Sequence, residues 1–291
     1  MSPAARAWNQ PGHMVVATIA FNTLRGHDDD AIKNTVALLQ HHPFFDPSWS
    51  KQIAQLSQED RALVLFMLAA AWPDEVRRDA RYHHGPWHYI NFPYVPAGQP
   101  RTIVGRAPET ENILTAFDRN ARIAQDPSQP AADRAIALAW MFHLAGDVHQ
   151  PLHTVSLYST QWPNGDRGGT DFFIRAKAEN QPISLHTFWD GLIIGSERLQ
   201  SIRNASITIA KTYPRGDLRE MNRRTFREWA EESFVLAQTH AYLSGRLPGS
   251  AGKTDVPALT QSYRTSAKAL AERRAALAGY RLAALLKALF D

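Results

Sequence analysis

The chain has 291 residues, a formal net charge of +4 and an ordinary content of charged and aromatic residues. These describe a globular protein rather than a disordered one, and the mild positive charge permits a polyanionic partner without demanding one. Cysteine is absent, which excludes disulfide frameworks, thiol catalysis and thiolate metal sites and leaves His, Asp and Glu as the strong ligands. No run approaches the ~18 apolar residues of a membrane span.

With no low-complexity linker and no internal repeat, one large domain over residues 8–291 is expected. Residues 1–7 look incidental to it. Ala5-Arg6-Ala7 has the small-x-small form of a signal-peptidase site, although no apolar h-region precedes it. It is either the end of an export signal or a chance match.

Residues 13–24 carry Val16, Ile19, Ala20 and Thr23 at helical spacing. A second helix, about 30–41, offers Ile32, Val36 and Leu39 on one face. Ser57-Gln58-Glu59-Asp60 is close to a capping box and opens an apolar helix over 62–71. That helix is predicted to end at Trp72, because Pro73 follows, so that Asp74 projects from just beyond a buried C-terminus. Residues 87–92, between Gly85-Pro86 and Pro93, read as an extended segment or brief strand. Residues 109–125 are amphipathic through Ile113, Phe117 and Ala121, and 131–148 form a further helix. Its stretch 135–142 is apolar all round and so buried on every side.

The turn-rich run 162–169 is an irregular loop, and 171–175 form a short strand. Ser184 can cap a helix beginning at Leu185. Residues 201–213 and 225–243 are helical, the latter amphipathic through Phe226, Trp229 and Phe234. A Gly/Pro loop, 245–257, leads into a long last helix with Leu270, Leu277, Leu285 and Leu289 inward. The fold is expected to be mainly α, a single-domain helical bundle with few short strands.

The chemistry concentrates at His143-Leu-Ala-Gly-Asp147-Val-His149-Gln-Pro151-Leu-His153. His143 and Asp147 stand at i and i+4 on one face of the buried helix. An imidazole and a carboxylate there are either a hydrogen-bonded buried pair or the start of a metal site, for which this ligand set suits zinc. Pro151 ends the helix and brings His153 onto the loop beyond. His186 and Asp190 repeat the i, i+4 geometry.

Of twelve histidines, most are bystanders. His27, His41 and His42 sit at polar helix ends, where surface or capping roles are expected. His240 has no acidic companion, and His83 and His84 precede a Gly-Pro turn. His149, roughly 200° around the helix from Asp147, should point away from the metal face and hold neighbouring groups. That leaves His13, His88, His143, His153 and His186 with Asp74, Asp147 and Asp190. This is more than one tetrahedral zinc can use and enough for two or three ions.

In this order, Trp8-x4-His13, Trp72-Pro73-Asp74, Trp87-His88-Tyr89-Ile90-Asn91, His143-x3-Asp147-x5-His153, Gly165-Asp166-x-Gly168-Gly169 and His186-x3-Asp190 resemble a known family. It is the three-zinc, single-strand-specific nuclease and 3′-nucleotidase family, which shares its fold with zinc phospholipase C. The resemblance runs over nearly the whole chain from Trp8.

It implies a first zinc held by Asp74, His88, His143 and Asp147. A second beside it would be held by the amine and carbonyl of Trp8, His13 and the bridging Asp147, and a third by His153, His186 and Asp190. Because an α-amine loses its proton to a metal far more readily than an amide, it also implies cleavage after Ala7 and a periplasmic or secreted enzyme. The implied reaction is in-line attack of a zinc-bridging hydroxide on a phosphodiester of single-stranded DNA or RNA. It gives 5′-phosphorylated products and is accompanied by 3′-nucleotidase activity.

The resemblance places Arg77 as a cation on the phosphoryl oxygens, the plainer role being a surface salt bridge. It places Tyr89 and Asn91 at the base-binding positions, Tyr89 having core packing as its alternative. Thr170 and Ser184 depart from the Asn that many relatives carry, which bears on base preference. No stable protein partner is implied. A phospholipase C acting on lipid phosphodiesters and a zinc-binding protein without activity are the rival functions.

Overall fold

The computed structural model describes residues 8–291. The proposed cleavage after Ala7 therefore lies outside the described residues. Among the described residues ten α-helices carry the fold, joined by 3-10 and π turns and four very short strands. They are α1 Gln10–Leu24, α2 Asp29–Leu39, α3 Ser50–Ile53, α4 Gln58–Glu75, α5 Ile113–Gln125, α6 Ala131–Asp147, α7 Leu185–Asp190, α8 Leu199–Thr212, α9 Phe226–Leu236 and α10 Gln261–Phe290.

Helix α1 packs against α10, α4 and α8, and α6 packs against α5, α4 and α10. Both α1 and α6 are buried on nearly every side, as their all-round apolar composition requires. The main core joins Val16, Phe66, Trp72, Phe142 and Leu277, while a smaller one gathers Leu152, Phe172, Leu185, Trp189 and Tyr242. The candidate ligands come from elements of both. A groove lined by Phe21, Ile32, Phe45 and Leu65 contains none of them.

Strand β1 (Phe92–Tyr94) pairs in parallel with β2 (Val155–Leu157), and β3 (Phe173–Ile174) pairs antiparallel with β4 (Ile183–Ser184). The β1–β2 ladder ties the chain beyond His88 to the chain beyond His153, reinforced by Ile90 N donating to His153 O at 2.8 Å.

Several boundaries differ from expectation. Helix α4 does not stop at Trp72 but runs through Pro73 to Glu75. So near its end a proline removes only the bond to the Ala69 carbonyl, and the bond from Val76 N to Trp72 O survives. Asp74 is thus held on a helix. Extended structure begins at Phe92 rather than Trp87, because Gly85–His88 close a 3-10 turn with Pro86 at its start.

Helix α5 starts at Ile113, where Asn112 and Thr115 form a reciprocal capping box. On α10, Leu277, Leu282 and Leu286 are fully buried while Leu270, Leu285 and Leu289 only flank the core. Among the capping signals, Ser57 accepts from Asp60 N and Ser184 from Thr187 N, as read from sequence.

His42 is a clear correction, since it is 2% exposed rather than on the surface. Its ring stacks on Trp49 with centroids 4.3 Å apart and meets Trp72 edge-on. Burial lowers its pKa to about 3.

Candidate metal centre

Helix α6 places His143 and Asp147 one turn apart at its buried C-terminal end. Four atoms converge there, Asp74 Oδ1, His88 Nδ1, His143 Nε2 and Asp147 Oδ2. His143 Nε2 lies 2.9 Å from His88 Nδ1, 3.2 Å from Asp147 Oδ2 and 3.6 Å from Asp74 Oδ1. His88 Nδ1 lies 3.0 Å from Asp147 Oδ2 and 3.9 Å from Asp74 Oδ1. Four ligands at ordinary zinc distances on a tetrahedron stand about 3.3 Å apart, and these separations bracket that value.

The other oxygen of Asp147 faces elsewhere. Oδ1 is 3.3 Å from His13 Nε2, yet neither atom has hydrogen-bond geometry to any partner among the described residues. Two ligands aimed at a common ion, rather than at each other, sit this way. The His13 ring stacks on His143 with centroids 3.9 Å apart. It can approach because residue 146 is glycine: a Cβ there would lie 2.6 Å from His13 Nδ1.

A third group joins His153, His186 and Asp190. His153 Nε2 is 3.9 Å from Asp190 Oδ1, and His186 Nε2 is 3.6 Å from Asp190 Oδ2. The ring orientations are set by carbonyls, which can only accept. Nδ1 of His143 donates to Ala70 O at 2.8 Å, Nδ1 of His153 to His88 O at 2.7 Å and Nδ1 of His186 to Gly168 O at 2.7 Å. Each bond leaves an Nε2 lone pair facing the centre, the usual arrangement behind a metal-ligating imidazole.

Protonation follows from burial and charge. Burial lowers the pKa of His13 and of His153 and takes His88 to about 4, keeping these imidazoles neutral, the form that ligates metal. Burial opposes ionisation of Asp147, but His143, whose own pKa is raised against burial by Asp147 and Asp74, holds its carboxyl well below the usual range. At Asp74 the same burial is outweighed by His143 and Arg77. At Asp190 burial wins and pushes the carboxyl well up, against a hydrogen bond from Gln150. Asp74 Oδ2, Asp147 Oδ1 and His153 Nε2 are buried without hydrogen-bond partners among the described residues. Such orphaned acceptors are costly in a core, and divalent cations would satisfy all three groups.

The remaining site residues fall around this centre. Trp8 is fully buried, and its indole donates to Gly146 O at 3.1 Å, alongside the turn bearing His143 and Asp147. The next residue ties to the third group, Asn9 N donating to Asp190 O at 3.1 Å. Arg77 is no surface pair: its Nε and a terminal nitrogen donate to Asp74 Oδ1 at 2.9 and 2.6 Å. Tyr89, 37% exposed, is not a core residue, and Asn91, two residues on, is half-buried.

His149 makes none of these contacts, its Nδ1 donating to Ala145 O and its Nε2 accepting from Arg281. His84 stacks on Trp87, and neither it nor His83 joins a ligand group.

Sequence reasoning missed Gln150, whose Nε2 donates to Asp190 Oδ1 at 2.8 Å while its Oε1 accepts from Leu152 N. A buried amide in the turn between Asp147 and His153 was the available signal. It also missed the part played by Gly146, which acts through close approach rather than through a functional group.

Fold and centre together define a mainly helical protein built around a buried His/Asp cluster able to hold several metal ions. The chain belongs to the S1/P1 nuclease family, whose profile matches residues 8–291. It is similar to Endonuclease 4 of Arabidopsis thaliana, with 25% identity covering 99% of this chain and 90% of the relative. Endonuclease 5 of the same plant is 25% identical over 99% and 92% of the two chains. Endonuclease 3 is 30% identical over 53% and 51%. The protein is therefore a nuclease, an enzyme that hydrolyses phosphodiester bonds, in a generally metal-dependent family with nucleic acid as substrate class. None of its described helices is long and apolar enough to cross a membrane.

Proposed function

We propose that the protein is a zinc-dependent endonuclease that cuts single-stranded DNA and RNA to 5′-phosphorylated products and also acts as a 3′-nucleotidase. Residues 8–291 form its catalytic domain, in a periplasmic or secreted enzyme that begins at Trp8. The observation that carries the reading is the carboxylate of Asp147, which turns one oxygen to His88 and His143 and the other to His13. A carboxylate shared in this way would be able to serve two ions at once.

Asp74, His88, His143 and Asp147 would hold one zinc. Trp8, His13 and Asp147 would hold its neighbour, and His153, His186 and Asp190 the third. Bound zinc would supply Lewis acidity toward a phosphoryl group and a lowered pKa for water. Arg77, after His143, keeps Asp74 ionised, and its guanidinium would be the donor for a phosphoryl oxygen. The exposed Tyr89 ring offers a stacking face and Asn91 a polar edge for a base. A base must leave its duplex to use them, which accounts for single-strand preference.

The test is to purify the mature protein, determine its N-terminus and metal content, and assay single-stranded DNA, duplex DNA, a 3′-nucleotide and phosphatidylcholine. Three zincs per chain and turnover of the single strand, abolished by chelator, are expected. Lipid-only turnover would sink the nucleic-acid reading, and fewer than three zincs would overturn the ligand assignment.

A further inference from the structure

Behind the metal centre lies a second buried charge cluster that the proposed chemistry leaves unused. Arg274 and Arg281, two turns apart on α10, are 1% and 2% exposed. One carboxylate answers both, Glu232 of α9 accepting from Arg274 and, at 3.0 Å, from Arg281. The other donors go largely to one place. Arg274 Nε donates to His149 O at 3.2 Å. Arg274 also donates to Ser233 Oγ at 2.8 Å, and Ser233 in turn donates to Val148 O. Arg281 donates to His149 Nε2 at 2.8 Å and to Glu220 O at 2.5 Å.

As a stabilising device this is poor. Two guanidiniums share one carboxylate, and Arg281 Nε has no hydrogen-bond partner among the described residues. Apolar residues of similar volume stabilise a core as well or better than such a cluster. Its location gives it a different use. A helix leaves its last carbonyls without intrahelical partners, and here, immediately after Asp147, the His149 carbonyl is served by Arg274 and the Val148 carbonyl by Ser233, itself held by Arg274, while Arg281 holds the His149 ring. The same turn ends in Gln150, which holds Asp190 of the third ligand group. A neutral His149, fixed by its Nδ1 bond to Ala145 O at 2.7 Å, presents the acceptor that a guanidinium requires.

We propose that Arg274 and Arg281 are positioning residues for the metal centre. Acting through Glu232, Ser233 and His149, they pin the turn 147–150 so that Asp147 reaches two ligand groups and Gln150 steadies the third. The inference rests on the proposed role of Asp147 as a shared metal ligand. Groups bonded directly to a ligand typically change metal affinity by roughly 10- to 100-fold, and the pinned turn carries both Asp147 and Gln150, the latter bonded to Asp190.

The experiment strips the full chain with chelator, reloads it with cobalt(II), and reads cobalt per chain, affinity and the visible absorption spectrum. Wild type is compared with Arg274→Met, Arg274→Lys and Ser233→Ala, with circular dichroism and urea melts of the metal-free proteins. Expected are unchanged secondary structure, cobalt binding weakened roughly 10- to 100-fold in Arg274→Met and less in Ser233→Ala, and an altered spectrum. Lysine should restore part of the loss, since it keeps the charge and a donor for the His149 carbonyl. Wild-type affinity and spectrum in folded Arg274→Met and Ser233→Ala would overturn the proposal, and if Arg274→Met does not fold, Ser233→Ala decides alone. A wild-type chain that binds no cobalt would instead overturn the metal assignment, and this inference with it.

Discussion

Substituting Gly146 by alanine adds one methyl group at the point where α6 meets His13. The new Cβ would stand 2.6 Å from His13 Nδ1 and 2.9 Å from Cε1, against an ordinary contact of 3.4 Å or more. The ring must therefore retreat by about 0.8 Å, the difference between those distances, or α6 must shift by as much. Neither is easy, because His13 is fully buried and stacked on His143.

Alanine favours the helix by about 1 kcal/mol, while over-packing costs about 1–3 kcal/mol. The metal-free protein should thus stay folded and lose at most about 2 kcal/mol. Function should suffer more, since a misplacement near 1 Å costs about 100-fold in rate. Metal analysis should find one ion fewer per chain, and turnover of single-stranded DNA should fall about 100-fold. Full metal content with wild-type turnover in a folded Gly146→Ala protein would refute the claim that His13 is a ligand held by this close approach.

Asp147→Asn removes the charge that two ligand groups share, and turnover should drop on the order of 10³-fold or more; a variant with substantial activity would contradict bridging. Gly168→Ala is strained at φ +62° and drives a Cβ to 2.3 Å from Leu152 O. Because the Gly168 carbonyl orients His186, the variant should lose about 1–3 kcal/mol of stability and its third metal, and an unchanged metal count would argue against that orientation.

His42 makes a pH prediction away from the metal. Its folded pKa of about 3 lies below the unfolded ~6.5, so the unfolded state binds the extra proton. The associated stability is full above pH ~6.5 and is lost as pH falls toward 3. Between pH 8 and pH 5 the loss is about 2 kcal/mol. Urea melts of metal-free His42→Phe should show an acid loss smaller than wild type by about that amount. Identical pH dependence in the two proteins would mean that His42 is not held neutral.

Local pattern was enough for the helical class. All-round apolar runs at α1 and α6, caps at Ser57 and Ser184 and the i, i+4 spacing of His143–Asp147 and His186–Asp190 depend on neighbours in sequence. They were legible for that reason. The errors arose where tertiary contact overrode local preference. Helix α4 passes through Pro73 in its last turn, and His42 is enclosed by Trp49 and Trp72. Phe44, two residues on, was the one local hint of that enclosure.

By itself, then, the sequence determined the residue types of the centre: five histidines and three aspartates, with no thiolate to compete. Which atoms face one another was decided only by the tertiary structure. His143 and His153 are close in sequence but belong to separate groups, whereas His13, Asp74 and His88 reach α6 from three different segments. The physical reason is that direction is a long-range property. Carbonyls of Ala70, His88 and Gly168 aim the rings, a missing side chain at Gly146 admits His13, and two arginines from α10 hold the turn that follows Asp147.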